Sequence, residues 1–418
     1  MRYLIIGNSA AGLAAGKAIR QKDKNASIIL FSDEPYPYYS RLLITYLLRG
    51  EISKRSLFQG TRKLYHDYGL QAKLETRITE ILPAENRILT SKKKSFSYDR
   101  LLIAAGSIPV MLQIPGTKLP GVLPVRTLEH AEKIRQKMKP GGTAVILGGG
   151  LVGMQTAQAL HRGGMKTILV VSSDRLLSRN LDSTGAQLLC HAAEKAGLRI
   201  LFRRQPQEIA EGRGKLWVLL DGGEKISGDM VILAKGVTPN VELFKEGPIA
   251  IHEGALVNEY LETSRKDIYA AGDVAEWDEK IGSKTRINPV WPNAIEQGFV
   301  AGRNMTGNVL KYRPGIPMNV TRLFGIQIAS VGNISADPHR QEQTHLDLGK
   351  GVYRKIFLQE DRIEGALLIG DIADCGILRR LILNRNSVSP IISKVINHSA
   401  AITHVLEGRF RLQPSLPK

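Results

Sequence analysis

Gly7, Ser9 and Gly12 fill the three positions of a G-x-G-x-x-G string, and Gly148, Gly150 and Gly153 fill the same string with glycine throughout. Each string follows a strand-like apolar run, Tyr3 to Ile6 in one case and Ala144 to Leu147 in the other, and leads into a helical pattern, Gly12 to Gln21 and Leu151 to Arg162. In that setting the first glycine permits a tight turn and the third lets helix and strand pack closely. The free N–H groups at the helix start then face a pyrophosphate. Ser9 departs from the rule by placing a side chain where backbone should approach phosphate, although its small hydroxyl can donate a hydrogen bond. Taken alone, the first string is also what a plain strand-to-helix turn would show.

An acid about twenty residues further on would receive the ribose hydroxyls of a dinucleotide. The strand-like run Ile28 to Phe31 leads into Ser32-Asp33-Glu34, where Asp33 is the first choice and Glu34 the second. Two surface acids opening a turn before Pro35 are the plainer alternative. After the second unit, Thr167 to Val171 leads into Ser172-Ser173 with no acid before Asp174. Ser172, Ser173 and Arg175 can instead hydrogen-bond and neutralise a 2′-phosphate, so both NADH and NADPH stay open. A solvated loop charge is the alternative for Arg175.

These residues need two βαβ units to hold them, and hence an α/β fold with two Rossmann-like dinucleotide-binding domains. A Pro/Gly-rich stretch, Pro109, Pro115-Gly116, Pro120-Gly121 and Pro124, separates them and places a boundary near residue 113. The run Ile268 to Ala271, ending in Gly272-Asp273, and a helical segment near Trp291-Pro292-Asn293 read as the return of the first unit. After about residue 313 short strands such as Tyr353 to Phe357 and Ala366 to Ile369 precede a Leu- and Arg-rich helix, a small α+β C-terminal domain. The expected division is 1–112 with 238–312, then 113–237, then 313–418.

At 418 residues the chain exceeds what one core usually organises. No apolar run reaches membrane-spanning length and no leader precedes the first strand, which suggests a cytoplasmic protein. Cys190 and Cys375 are the only cysteines, too far apart in sequence for a metal-binding spacing or a disulfide framework. The formal net charge of +19 implies a field that draws acidic partners. No nucleic-acid-binding motif accompanies it, and Lys92-Lys93-Lys94 reads as an exposed turn between strands.

With these units in place the chain resembles the FAD-dependent pyridine nucleotide-disulfide oxidoreductases, and within them the NADH:rubredoxin or ferredoxin reductases and the flavin module of assimilatory nitrite reductases. The resemblance covers most of the chain. It rests on Tyr98-Asp99-Arg100-Leu101-Leu102-Ile103-Ala104-Ala105-Gly106-Ser107-Ile108-Pro109, similar to the family's crossover D-x-L-x-x-A-T-G-x-x-P with Ala105 where threonine is usual. It rests also on Arg126-Thr127-Leu128, on Gly236-Val237-Thr238-Pro239-Asn240, and on Ile268-Tyr269-Ala270-Ala271-Gly272-Asp273. The resemblance implies FAD and NAD(P)H as cofactors, with Ala105, Gly106, Gly272 and Asp273 at the flavin and Gly236 closing the second domain. It implies that Asp273 accepts hydrogen bonds from the ribityl chain. It also implies that the helix beginning near Ala294 and Gln297 points its N-terminus at the flavin pyrimidine, where the dipole favours negative charge.

Two departures bear on chemistry. In thiol-using relatives a redox cysteine follows the first acid, whereas here that segment reads Pro37-Tyr38-Tyr39-Ser40-Arg41, with Arg41 about where the cysteine would be. With no cysteine before residue 190, no flavin-proximal disulfide or sulfenate can form. By resemblance Arg41 borders the FAD; a surface charge at a helix start is the alternative. Gln155 stands where relatives carry a glutamate near the nicotinamide carboxamide and retains hydrogen-bonding capacity.

Hydride transfer by cofactor stacking needs no protein acid or base, so no catalytic residue and no metal is expected. The resemblance implies an acidic electron carrier as acceptor, a rubredoxin, a ferredoxin or an iron-sulfur subunit. The chain would act as a homodimer or as a subunit of a redox complex. The basic pairs Arg354-Lys355 and Arg379-Arg380 are the expected docking or dimerisation surface, with plain packing as the alternative. Rival readings are an NAD(P)H oxidase or quinone reductase using oxygen or a small acceptor, and a flavin-binding scaffold or sensor subunit.

Overall fold

The computed structural model describes residues 1–397 apart from 59, 245–246, 248, 278–286 and 389–391. They form two compact units, Met1–Ser172 with Arg204–Pro314, and Ser173–Arg203 with the chain from Gly315 onward.

The first unit contains two parallel sheets. One runs in the order Ile268–Ala270, Arg100–Ile103, Arg2–Ile6, Ser27–Phe31, Leu70–Lys73. Its strands are short unbroken apolar runs, as expected where both faces are covered, and Leu4, Ile5, Leu30, Leu101, Leu102, Ile103 and Ala270 are fully buried. The edge strand Ile268–Ala270 returns from far along the chain to pair with Arg100–Ile103. The second sheet lays Val122–Pro124, Met230–Leu233, Thr143–Leu147 and Lys166–Val171 side by side, again parallel. The elements read from sequence are all present. The helix expected from Gly12 runs from Ala10 to Lys22, because Ser9 caps it and its carbonyl accepts from Leu13 N–H at 3.0 Å. Lys92, Lys93 and Lys94 are exposed on the turn after the strand Arg87–Thr90, as expected.

The helix Ala10–Lys22 packs against Trp291–Met305, which begins with Pro292 in its first turn. The approach is too close for side chains at the crossing: a Cβ on Gly298 would lie 2.1 Å from the Ala11 carbonyl oxygen, and one on Gly302 2.5 Å from that of Ala15. Gly272, two residues past Ile268–Ala270, lies against the same pair of helices: a Cβ on it would be 3.2 Å from Ala11 Cβ and 3.7 Å from Ala294 Cβ.

The second unit is built on an antiparallel sheet ordered Met318–Leu323, Ile326–Gly332, Arg362–Ile369, Val352–Gln359, Gln341–Asp347. The helix Cys375–Asn384 covers it through Leu378 and Leu381. The helix Ser183–Lys195 also belongs to this unit. Its cap Asp182 accepts from Gly185 N–H at 2.9 Å and from the Tyr353 hydroxyl at 2.5 Å, and meets Lys355 Nζ at 3.4 Å.

One expectation is corrected here. Arg354-Lys355 is not a docking surface: Arg354 is buried and donates to Asp374 at 2.8 Å and to the Val395 carbonyl at 2.6 Å. Lys355 is largely covered and pairs with Glu342 at 2.6 Å as well as with Asp182. Sequence displays the two cations but not the acids that the sheet and the helix caps bring to them. Arg380 is exposed and Arg379 half-buried.

Gly298→Ala should push the two helices apart and destabilise the first unit by about 1–3 kcal/mol, the usual cost of overpacking. Thermal unfolding measures this, and an unchanged melting temperature would contradict the crossing as described.

Candidate functional site

The two glycine turns share one geometry. Gly7 has φ 126° and Gly148 φ 129°, backbone that L side chains rarely adopt. A Cβ at Gly7 would lie 2.1 Å from the Ala104 carbonyl oxygen, and one at Gly148 2.3 Å from that of Ala234. At the third position a Cβ on Gly12 or on Gly153 would fall 2.0 Å from the carbonyl oxygen of the first glycine of its own turn. The second position differs. Ser9 (φ −131°) and Gly150 (φ −80°) both have ordinary backbone, and nothing lies within 4 Å of a Cβ on Gly150. The fold therefore requires glycine at the first and third positions of each turn, and only the approach of a ligand asks for it at the second. That accounts for the serine: position 9 admits a side chain without strain.

A cavity of about 610 Å³ opens at the first turn, at the carboxyl ends of the strands. Gly7, Ser9, Asp33, Glu34, Arg41, Ala105, Gly106, Gly272, Asp273 and Ala294 all line it. Residues from five separate stretches of sequence thus meet, as the open α/β crevice demands. Asp273 follows Gly272 (φ 82°), and its Oδ2 accepts from Ser107 Oγ at 2.7 Å and from Arg126 Nη2 at 2.9 Å. Neither bond uses Oδ1. Burial pulls Arg126 below its ordinary pKa, with Asp273 opposing the shift. Arg41 donates to the Arg126 carbonyl at 3.2 Å and pairs with Glu34 at 2.5 Å. The Tyr39 hydroxyl donates to the other Glu34 oxygen at 2.5 Å and accepts from Leu128 N–H at 3.0 Å.

Glu34 is therefore occupied on both oxygens in holding Arg41 and Tyr39, whereas Asp33 is exposed at the cavity. Gln297 is buried and serves the backbone: its Oε1 accepts from Gly272 N–H at 2.7 Å and its Nε2 donates to the Tyr312 hydroxyl at 3.2 Å. Two donors lining the cavity, Asn8 Nδ2 and Arg126 Nε, are buried with no protein partner. Buried donors of this kind call for acceptors, and the oxygens of a dinucleotide supply them. The cavity thus fits the group that the glycine turn suggests.

At the second turn Gln155 lies half-buried on the helix Leu151–Arg162, and Ser172 is exposed at the end of its strand. Gly236 (φ 95°) accepts from Val110 N–H at 3.0 Å. In the second unit Arg175 holds its own loop, reaching Asp174 at 3.1 Å and the Ser178 and Leu181 carbonyls at 3.4 Å. Cys190 and Cys375 are free, both lie in that second unit, and burial raises both thiols, Cys190 to about 11. No cysteine lines the cavity. Among the described residues no group of His, Cys, Asp or Glu could hold a metal ion, and no helix is long and apolar enough to cross a membrane.

Sequence reading did not assign roles to Arg126, Ser107, Tyr39 or Asn8. Arg126 and Ser107 stood inside the quoted motifs, but nothing local says that an arginine at 126 reaches a carboxylate at 273.

Residues 1–298 match the family model described as pyridine nucleotide-disulphide oxidoreductase, and residues 317–386 match the rubredoxin NAD+ reductase C-terminal domain. The chain belongs to the pyridine nucleotide-disulphide oxidoreductase family, whose members bind FAD and NAD(P)H. It is 30% identical over 374 residues to the NADH-rubredoxin oxidoreductase of Clostridium acetobutylicum, covering 89% of this chain and 92% of that one. It is 28% identical over 390 residues to the assimilatory nitrate reductase electron transfer subunit of Bacillus subtilis, covering 93% of this chain and spanning only half the length of that relative. The fold matches that of putidaredoxin reductase in its covalent complex with putidaredoxin, with a TM-score of 0.88 at 23% identity, over 97% of this chain and 98% of the other.

The segment carrying Arg126 is held by a capping box: His130 N–H donates to Thr127 Oγ1 at 3.2 Å, and Thr127 N–H donates to His130 Nδ1 at 3.3 Å. Burial lowers the His130 pKa from its ordinary 6.5, with smaller opposed influences of Glu129 and Glu34 against Lys133 and Arg41. Nδ1 accepts only when neutral. The cap's stability is therefore fully present above the unfolded pKa and is lost as pH falls through the lowered folded value. His130→Gln keeps a neutral acceptor. Between about pH 8 and about pH 5, the wild type should lose more melting temperature than this variant; parallel curves would refute the cap's titration.

Proposed function

We propose that the first unit holds FAD in the 610 Å³ cavity and NAD(P)H at the second glycine turn, and that the protein passes electrons from the nicotinamide through the flavin to an acidic rubredoxin, ferredoxin or iron-sulfur subunit. The observation that carries this is the duplicated turn, with both first-position glycines against the carbonyl that follows a neighbouring strand, the first of the two turns lining a cavity that holds arginines and no thiol. When bound, FAD would supply hydride acceptance from a reduced nicotinamide and one-electron release to a carrier.

In this reading the N–H groups of the first turn, the Ser9 hydroxyl, Asn8 Nδ2 and Arg126 hold the pyrophosphate, and Asp33 accepts the adenosine ribose hydroxyls. Asp273 Oδ1 accepts from the ribityl chain. Arg41 borders the flavin, anchored by Glu34, while Ala105, Gly106, Gly272 and Ala294 form walls that admit a planar ring. Gln297 positions Gly272, so it serves the site through the backbone. Gly148, Gly150, Gly153, Gln155 and Gly236 hold the nicotinamide dinucleotide, and Ser172 meets its adenosine end. Residues 1–112 with 238–312 then form the FAD domain, 113–237 the NAD(P) domain and 313–418 the C-terminal interface domain, with Arg126 reaching into the flavin site from beyond residue 113. The net charge of +19 favours an acidic partner by steering, and a cytoplasmic location is the setting that fits. The C-terminal match to a rubredoxin NAD+ reductase domain and the relatives' names support a protein acceptor.

The purified protein should be yellow and should bleach anaerobically with NADH or NADPH without added thiol. Reoxidation should be faster with a reducible rubredoxin or ferredoxin than with oxygen. Asp273→Ala, which removes a charged acceptor, should lower FAD affinity about tenfold or more, read from bound flavin after gel filtration. A colourless protein, or one whose spectrum changes only with a thiol or disulfide, would overturn the reading.

A further inference from the structure

Lys235 follows the strand Met230–Leu233 at its carboxyl end, where the parallel sheet opens toward the second glycine turn. The register fixes its place. Leu233 pairs with Leu147, Ala234 N–H donates to the Leu147 carbonyl at 3.0 Å, and a Cβ on Gly148 would lie 2.3 Å from Ala234 O and 3.4 Å from Lys235 N. The backbone of Lys235 thus follows directly on the carbonyl that closes on the first glycine of the turn. The next residue, Gly236, bonds Val110, and Val237–Pro239 pairs with Ser107–Pro109, two residues of which line the flavin cavity. Lys235 sits at the joint between the second turn and that cavity.

Its side chain is half-buried, yet it makes no hydrogen bond, ion pair or ring contact with any described residue. Most of the other covered cations of this unit have partners: Arg41 has Glu34, Arg126 has Asp273, Arg100 has Asp267. Desolvation alone acts on Lys235, lowering its pKa. A partly desolvated ammonium without a counter-ion among the described residues is a cost to the folded chain, and an anion arriving beside it removes that cost. The place in which it stands, outside the carboxyl ends of parallel strands and against a glycine-rich turn, is where such sheets receive phosphates. From this placement we propose that Lys235 is a charged anchor for the pyrophosphate of the nicotinamide dinucleotide, acting beside the N–H groups of Gly148–Gly153. The assignment rests on the two-dinucleotide reading above and adds to it a residue outside the glycine string.

The test is binding, not turnover. FAD-loaded wild type, Lys235→Met and Lys235→Arg are titrated with ADP-ribose, with NAD+ and with adenosine, by calorimetry at two salt concentrations. Lys235→Met should bind ADP-ribose and NAD+ about tenfold or more weakly, with a shallower salt dependence, while adenosine, which has no phosphate, binds all three proteins equally. Lys235→Arg should stay within about threefold of wild type. The FAD content and melting temperature of Lys235→Met should equal or exceed those of wild type, because removing an unpartnered ammonium costs the free protein nothing. If wild type binds ADP-ribose and Lys235→Met binds it as tightly, the role of Lys235 is refuted and the dinucleotide reading stands. A loss of bound FAD in Lys235→Met with unchanged ADP-ribose affinity would place the lysine at the flavin and also refute the proposal. If wild type binds neither NAD+ nor ADP-ribose, the reading of the second turn falls, and this assignment with it.

Discussion

The molecule is organised by two places where a backbone carbonyl occupies the position that a Cβ would take. At Gly7 it belongs to Ala104, and at Gly148 to Ala234, each the residue that follows the strand next to the one that feeds the turn. Such contact draws strand, turn and helix together so closely that the free N–H groups of the helix start lie at the sheet's carboxyl edge. Everything else at the site depends on that edge being open and on the chain returning to it from elsewhere: from Arg41, from Ser107, from Arg126 and from Gly272-Asp273.

Around the first turn the charges are arranged so that few are left unopposed in a half-buried space. Arg41 is held by Glu34, Glu34 by Tyr39, Tyr39 by the Leu128 backbone, and Arg126 by Asp273 and the cap that follows it. A single long-range chain of bonds thus links the end of the second strand to residues more than two hundred positions away. Preorganised donors and acceptors of this kind bind a ligand without reorganising when it arrives. The same logic shows why a thiol is not needed here. With the cysteines confined to the second unit and their thiols raised by burial, the polar groups of the cavity can bind and orient, but they cannot carry covalent redox chemistry.

In the second unit, charges that looked available for a partner turn out to be internal. Arg354 lies on a central strand and is neutralised by Asp374 at the start of the covering helix, and Lys355 is neutralised by Asp182 and Glu342. The basic excess of the chain is therefore not evenly available, and its exposed part lies on residues such as Arg380 and the Lys92–Lys94 turn.

The sequence by itself determined the two glycine turns, the strands that feed them and the helix Leu151–Arg162. Those features arise from short-range physics: a φ that only glycine tolerates, an apolar run too short for a helix, and a period of 3.6. It also determined that no cysteine occurs before residue 190, whereas the structure was needed to place Cys190 and Cys375 away from the cavity. Only the tertiary structure decided that Glu34 supports Arg41 while Asp33 faces the cavity, and that Gln297 serves the Gly272 backbone. It likewise revealed that Arg126 belongs to the carboxylate at 273 and that Arg354 is buried. In each case the deciding partner is far away along the chain, and an electrostatic or hydrogen-bond pairing leaves no trace in local composition until the sheet order brings the two ends within 3 Å.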